Sequence, residues 1–279
     1  MMEKKYKLTE ETINVDGRTL YRIEALKDFD VVEKGDKGGF IENESNLSQS
    51  GDCWVYGNAK VSDNAMVCGN AKVYDNARVY CNALVCGNAL VFGNALVIDK
   101  ARVYGNAQVR GNAVVYDNAE ISGDAKIFGN AQIRCDAVVC EDAKIYGHAI
   151  VCSNADVYGN ARIYGNAQVS GNAQVFGNAE IRGDAVITSN SDYILFKNWW
   201  SSGRFFTWTR SNNMWSVGCF YGTSNELIEK AYKDSKLSGK EYKRVVDYVN
   251  SILNVNEYDN IRKNIKERLL SKIRRLFGK

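Results

Sequence analysis

The chain has 279 residues and a mass of 31.2 kDa, with 45% hydrophobic and 25% charged residues. That balance excludes both a disordered polymer and a bundle of membrane spans. The absence of proline excludes collagen, polyproline ligands and proline-rich linkers. A chain without proline keeps all its backbone N–H donors, as a ladder-rich architecture requires. The net charge of +3 is uneven. Residues 1–56 sum to −4 (8 Lys/Arg, 12 Asp/Glu), residues 57–188 to −1 (11 and 12), and residues 189–279 to +8 (17 and 9). An acidic partner is therefore expected at the C-terminal third. No apolar signal region opens the chain and no apolar run approaches 18 residues, so neither a signal peptide nor a transmembrane helix is expected. Eight cysteines in such a chain read as reduced thiols in a cytoplasmic protein.

The N-terminal residues 1–38 read as a β cap. Thr12–Val15 and Arg18–Leu26 are strand-like, and Asp16-Gly17 between them is a hairpin signal. Residues 39–188 carry a six-residue repeat. From Ala59 to Ala185 an Ala recurs every six residues, 22 times, and two residues after each stands Val or Ile. The residue before Ala is Asn 16 times, Asp four times, and Lys100 and His148 once each; the one before that is Gly 14 times. In Ala-x-Val-x the period of two turns Ala and Val to one side, as in a four-residue strand. Gly-Asn then turns the chain, since both accept positive φ cheaply. Strand and corner in alternation must coil, and three hexads per coil give a triangular prism about 4.8 Å per rung. The frame is expected to persist weakly upstream, through Gly39-Phe40-Ile41, Ser45-Asn46-Leu47 and Gly51-Asp52-Cys53.

With these residues in view, the chain resembles hexapeptide-repeat proteins with a left-handed parallel β-helix. The lead-in Tyr21–Leu26, Lys37–Glu42, Asn46–Gln49 and Gly51–Tyr56 is similar to that of uncharacterised members from bacteria and their phages or prophages. The resemblance covers about residues 5–190. It implies a mainly β fold and, from the phage connection, a host-directed partner, including inhibition of a defence system. Acyltransferases of the hexapeptide class commonly use a histidine as general base. His148 is the single histidine here, but it stands at a corner, and the 22 hexads lack the inserted loop such enzymes carry.

Residues 189–222 hold four of the five Trp and are expected to form an aromatic β module. Residues 223–279 read as helices over about 225–236, 240–253 and 257–277, with capping boxes at Thr223/Glu226 and Ser238/Glu241. The first would bury Leu227, Ile228 and Ala231, and the second Val245, Val246, Val249 and Ile252. The third carries seven Lys/Arg against three acids.

Residues 18 apart stack on one face of the prism. One face then aligns Tyr74, Phe92, Arg110, Phe128, Tyr146, Tyr164 and Arg182, beside Lys72, Leu90, Gln108, Lys126, Lys144, Arg162 and Glu180. Cations and aromatics in rows fit a polyanion or partner surface; the same row also fits a sheet-stabilising ladder or a self-association face. A second face, with Cys68, Cys86, Tyr104, Ser122, Cys140, Tyr158 and Phe176 beside Met66, Leu84 and Val138, is more apolar and suits burial in a homo-oligomer. In the aromatic module Lys197, Trp199, Trp200, Arg204, Trp208, Arg210 and Asn212 alternate cation, indole and polar groups, a set that binds phosphate and stacks on a base. The other reading of that set is a small core with Trp inside and Arg outside. Cysteine spacing offers no zinc motif, and neither metal nor cofactor is expected. The reading is a non-catalytic rod for spacing and oligomerisation, with a C-terminal domain that recognises a host protein, an acidic macromolecule or a nucleotide.

Overall fold

The computed structural model describes residues 3–200 and 202–253. The chain opens on a hairpin of β1 (Tyr6–Val15) and β2 (Arg18–Ala25), antiparallel from Tyr6 opposite Ala25 to Val15 opposite Arg18. Asp16 and Gly17 turn it with φ of 53° and 83°, the positive values that a tight two-residue hairpin needs. Strand β3 (Lys37–Ile41) pairs antiparallel with β2 and parallel with the first rung of the repeat.

A parallel β-helix follows, from β4 (Trp54–Val55) to β26 (Val186–Ile187). Its strands stack into three sheets of 11, 8 and 7 strands, the first including β1, β2 and β3. Each strand is two residues long rather than the four expected, because the residues around it already belong to the corners. The hydrogen-bond ladder nevertheless runs beyond the strands: Asn58, Lys60 and Ser62 donate N–H groups to the carbonyls of Asp75, Ala77 and Val79 on the next coil at 3.0–3.2 Å. Every Ala and Val/Ile of the repeat from Ala59 to Ile187 faces inward and is at most 1% exposed. At each corner the residue two before Ala is left-handed, with φ between 56° and 75°.

The frame does not continue through residues 39–47. Phe40 and Ile41 lie opposite Lys60 and Val61, and Leu47 bridges Val67, spacings of 20 rather than 18. Pairing returns to a spacing of 18 at Trp54 opposite Lys72, so the two extra residues lie after Leu47; the corner before Leu47 is a 3-10 turn at Glu44–Asn46, capped by Asn43. Asn46 holds this corner by donating its side-chain amide to the carbonyls of Asp63 (2.9 Å) and Ala65 (2.8 Å).

The C-terminal module is an antiparallel meander, β27 (Tyr193–Lys197), β28 (Phe205–Thr209), β29 (Met214–Val217) and β30 (Phe220–Gly222). Helix α1 (Ser224–Asp234) starts at the Thr223/Glu226 capping box. A second helix, α2, spans 236–253. The box expected at Ser238/Glu241 lies inside it; Ser235 caps instead, accepting the Ser238 N–H at 3.0 Å. Phe206, Trp208, Trp215, Leu227, Ala231, Tyr242, Val246 and Val249 form the module's core, while Ile228, Val245 and Leu253 pack partly buried against it. The third expected helix lies outside the described residues.

The two ends of the rod are closed by opposite chemistry. Ladder N–H groups point toward the C-terminus, so the first coil is left with unused carbonyls and the last with unused N–H groups. At the first coil, donors arrive from the cap. The buried Lys5 ammonium reaches the carbonyls of Gly51 (3.0 Å) and Cys53 (2.8 Å), the Tyr6 hydroxyl that of Leu47 (2.7 Å), and Arg22 that of Gly38 (2.7 Å). At the last coil, acceptors arrive. Asn190 takes the N–H of Gln174 (2.7 Å), Thr207 that of Glu180 (3.0 Å), Ser211 that of Val186 (2.7 Å) and Asp192 that of Thr188 (2.8 Å). This satisfies the sheet edges that would otherwise recruit another chain.

Candidate functional site: the rod–module junction

The module is seated on the rod by Arg182 and Tyr221. Arg182 donates to Ser216 (3.0 Å), to the Tyr164 hydroxyl (2.8 Å) and to the Phe220 carbonyl, and lies 4.6 Å over the Tyr221 ring. The Tyr221 hydroxyl reaches the Arg182 carbonyl at 3.2 Å and passes over Gly183, where an added Cβ would stand 2.0 Å from that oxygen.

This seating opens a cleft of about 230 Å³ between the aromatic-bearing face of the rod and the edge of the module, lined by Asp142, Lys144, Arg162, Glu180, Arg204 and Phe205 among others. Lys144 and Arg162 come from successive rungs, whose register places them side by side. Arg204 comes from the start of β28, held where its carbonyl accepts the Asn198 N–H at 2.7 Å. Arg162 is paired with Glu180 at 3.4 Å, while Lys144 and Arg204 form no ion pair among the described residues. Arg204 also lines a neighbouring cleft of about 360 Å³ with Leu227, Lys230, Asp234 and Tyr242. Burial raises the pKa of the Tyr242 phenol, and the Arg204 guanidinium beside it pulls the other way. The junction thus offers three cations against Asp142 and Glu180, in a recess where Lys144 and Arg204 form no ion pair among the described residues and Arg204 also donates to the Tyr242 phenol.

The row of aromatics on the rod is a continuous stack. Ring centroids are 4.7 Å apart for Tyr74–Phe92, Phe128–Tyr146 and Tyr146–Tyr164, with planes within 8°. Arg110 fills the gap in the row, 4.7 Å over Phe128 and 6.0 Å over Phe92. Ring faces are consumed by their neighbours, so this row presents edges to solvent and works as a ladder along the sheet. Lys126 lies beside it on the same sheet, between Gln108 and Lys144.

The aromatic-module candidates do not form one constellation. Trp208 is in the core with its indole N–H on Asn213 at 2.9 Å, and Trp200 packs against Phe206 and Tyr242. Asn212 is used internally, accepting from Thr209 (2.5 Å) and donating to the Tyr221 hydroxyl (3.1 Å). Arg210 is exposed, and its N–H is held by the Asp192 carbonyl at 2.8 Å. Lys197 and Trp199 are exposed, Trp199 to 84%. His148 is exposed at a corner, and its backbone N–H bonds the Gly165 carbonyl at 2.8 Å as other corner residues do on their next coil. On the cysteine-rich face, burial pushes the Cys68 thiol up to about 11, with Cys86 beside it. Among the described residues no cluster of His, Cys, Asp and Glu could hold a metal ion, and no helix is long and apolar enough to cross a membrane.

A family model described as the YdcK beta solenoid repeat matches residues 155–171. The match spans about one coil of the rod, and with the stacked sheets it supports a repeat β-solenoid. No curated protein matches the chain.

Proposed function

We propose that the protein is a non-catalytic β-helix scaffold that binds an acidic partner at the rod–module junction. The observation that carries this reading is that Arg204 of the module lines the same cleft as Lys144 and Arg162 of the rod. Lys144 and Arg204 are 60 residues apart in the chain, and neither element alone forms the cleft. The rod supplies rigidity and spacing, because each coil is bonded to the next along three sheets. The cleft suits a carboxylate or phosphate group displayed on a macromolecule, since its recess is shallow and its cations come from two directions. The resemblance to phage and prophage proteins makes a host protein the first partner class to test, including one that acts in defence.

The test is calorimetric titration with inorganic tripolyphosphate and with an acidic peptide, comparing wild type with Lys144→Ala and Arg204→Ala. Each substitution is expected to weaken binding about tenfold or more, as for a charge-assisted contact. Equal affinity in all three proteins would sink the assignment. Host proteins retained by wild type and lost by Arg204→Ala would then name the partner.

A further inference from the structure

We propose that the partner meets the rod through an extended acidic peptide segment with one apolar anchor, laid along the outward side of the eight-stranded sheet. This deepens the reading above and rests on it: the junction cleft takes the acidic end of the segment, and a separate groove takes the anchor.

Groove and cleft stand on one sheet. The groove, about 500 Å³, is lined by Val31, Tyr56, Lys72, Tyr74 and Leu90. Lys72 and Leu90 are paired neighbours in the eight-stranded sheet, and Lys144, Arg162 and Glu180 of the cleft are paired neighbours nearer its other end. Register fixes the spacing between them. Leu90 lies opposite Gln108, Gln108 opposite Lys126, Lys126 opposite Lys144, and Lys144 opposite Arg162. Lys126 is thus two rungs from the groove, about 10 Å, which about three residues of extended chain span. Arg162 is two rungs further on.

The charges on this track select the occupant. Lys126, Lys144 and Arg162 place three like charges directly opposite one another, which costs the chain stability on its own. Neither Lys126 nor Lys144 forms an ion pair among the described residues, and Asp124, at the corner before Lys126, accepts the Asn106 amide at 3.1 Å. A run of acids on a partner offsets this repulsion. The groove is different in kind. Phe29 and Val32 exchange both backbone hydrogen bonds (3.0 and 2.9 Å), and between them Val31 is held 73% exposed. Asp30 pairs with Lys72 and so neutralises the one cation of the groove lining. An apolar side chain therefore suits the groove, and the acids belong further along. A single-stranded nucleic acid fits less well, because the rings beside the track are stacked on one another at 4.7 Å and leave no free face for a base.

Fluorescence anisotropy of the full chain with labelled, end-capped peptides tests this, using Leu-Ser-Ser-Glu-Glu-Glu-Glu and its reverse. The better of the two is expected to bind about tenfold more tightly than a peptide with Ser in place of Leu, as for one partly buried apolar side chain. It should also outbind a peptide of the same composition with Leu set among the acids. Val31→Asn is a neutral change at an exposed tip. It should weaken the Leu peptide about fivefold or more and leave the Ser peptide unchanged, the coupling expected of two groups in contact. Lys126→Ala should weaken both peptides alike and leave tripolyphosphate binding intact, because Lys126 does not line the cleft. Equal affinity for the Leu, Ser and rearranged peptides, or indifference to both substitutions, would overturn the proposal. Tripolyphosphate binding that still responds to Lys144→Ala and Arg204→Ala would then leave the anion cleft standing, whereas loss of that response would remove both readings. A thymidine oligonucleotide that binds more tightly than the peptide and ignores Val31→Asn would also overturn the proposal, with nucleic acid as the occupant.

Discussion

At every corner of the rod one residue holds a positive φ, and in 14 of 22 hexads it is glycine. Five of the eight exceptions share one device. Asp63, Asp75, Asp99, Asp117 and Glu141 each turn a carboxylate onto the N–H of the corner residue one coil later, at 2.8–3.3 Å. A neutral hydrogen atom at that position leaves the N–H to water; an acid there offsets its own backbone strain with a charge-assisted bond. The next residue forms a second ladder, Asn70 to Asn88 to Asn106 at 3.0 Å per step, which ends at Asp124 because a carboxylate accepts and cannot donate. Asp192, where the rod passes into the module, carries a comparable load. Burial opposes its ionisation, but the N–H and hydroxyl groups of Thr188 and Ser189 prevail and hold the carboxyl below its ordinary 3.8. A depressed folded pKa contributes stability that is present above about 3.8 and is lost as pH falls through the folded value. Asp192→Asn is therefore expected to be less stable than wild type at neutral pH, with the gap closing in acid below about 3.8, as read by urea unfolding at a series of pH values.

Among the elements, the terminal coil depends on groups borrowed from elsewhere. Thr207 and Ser211 supply the acceptors for Glu180 and Val186, so Thr207→Val and Ser211→Ala each orphan a ladder N–H. Each should cost about 1–3 kcal/mol, seen as faster amide exchange confined to the last coil, whereas Thr209→Val should leave that exchange unchanged. The hexad made the rod legible in the sequence, because the apolar position never fails in 22 copies. The hairpin at Asp16-Gly17 and the box at Thr223/Glu226 were legible for the same reason: each is a local pattern with one physical meaning. The offset at residues 39–47 was hidden, since Gly39 and Asn46 mimic the hexad frame while two extra residues between Leu47 and Trp54 shift the rungs. The start of α2 was ambiguous because Ser235 and Ser238 both offer a cap, and only the packing of Tyr242 into the module core decides between them. The capping roles of Asn190, Thr207 and Ser211 could not be read, because they depend on which backbone groups the last coil leaves over. The junction cleft is equally non-local: the sequence assigned Arg204 to one candidate surface and Lys144 and Arg162 to another, and the fold joins them.

On the scale of the whole molecule, the caps recognise the backbone of a terminal coil and not any particular coil, and each coil bonds only its neighbours. Length and direction can therefore be edited in units. Removing residues 93–110 takes out one 18-residue coil and joins two equivalent corners. The module should then approach the hairpin by about 4.8 Å along the axis while facing the same way. Removing only residues 105–110, one hexad, should translate it by about 1.6 Å and turn it by about a third of a revolution. Distance measurements between spin labels on Val31 and Trp199 would separate the two outcomes, since both sites are exposed. The repeat is in this sense a screw thread. The number of hexads, counted in threes, sets how far apart the two ends stand, and the remainder sets the compass bearing at which the C-terminal module presents its face.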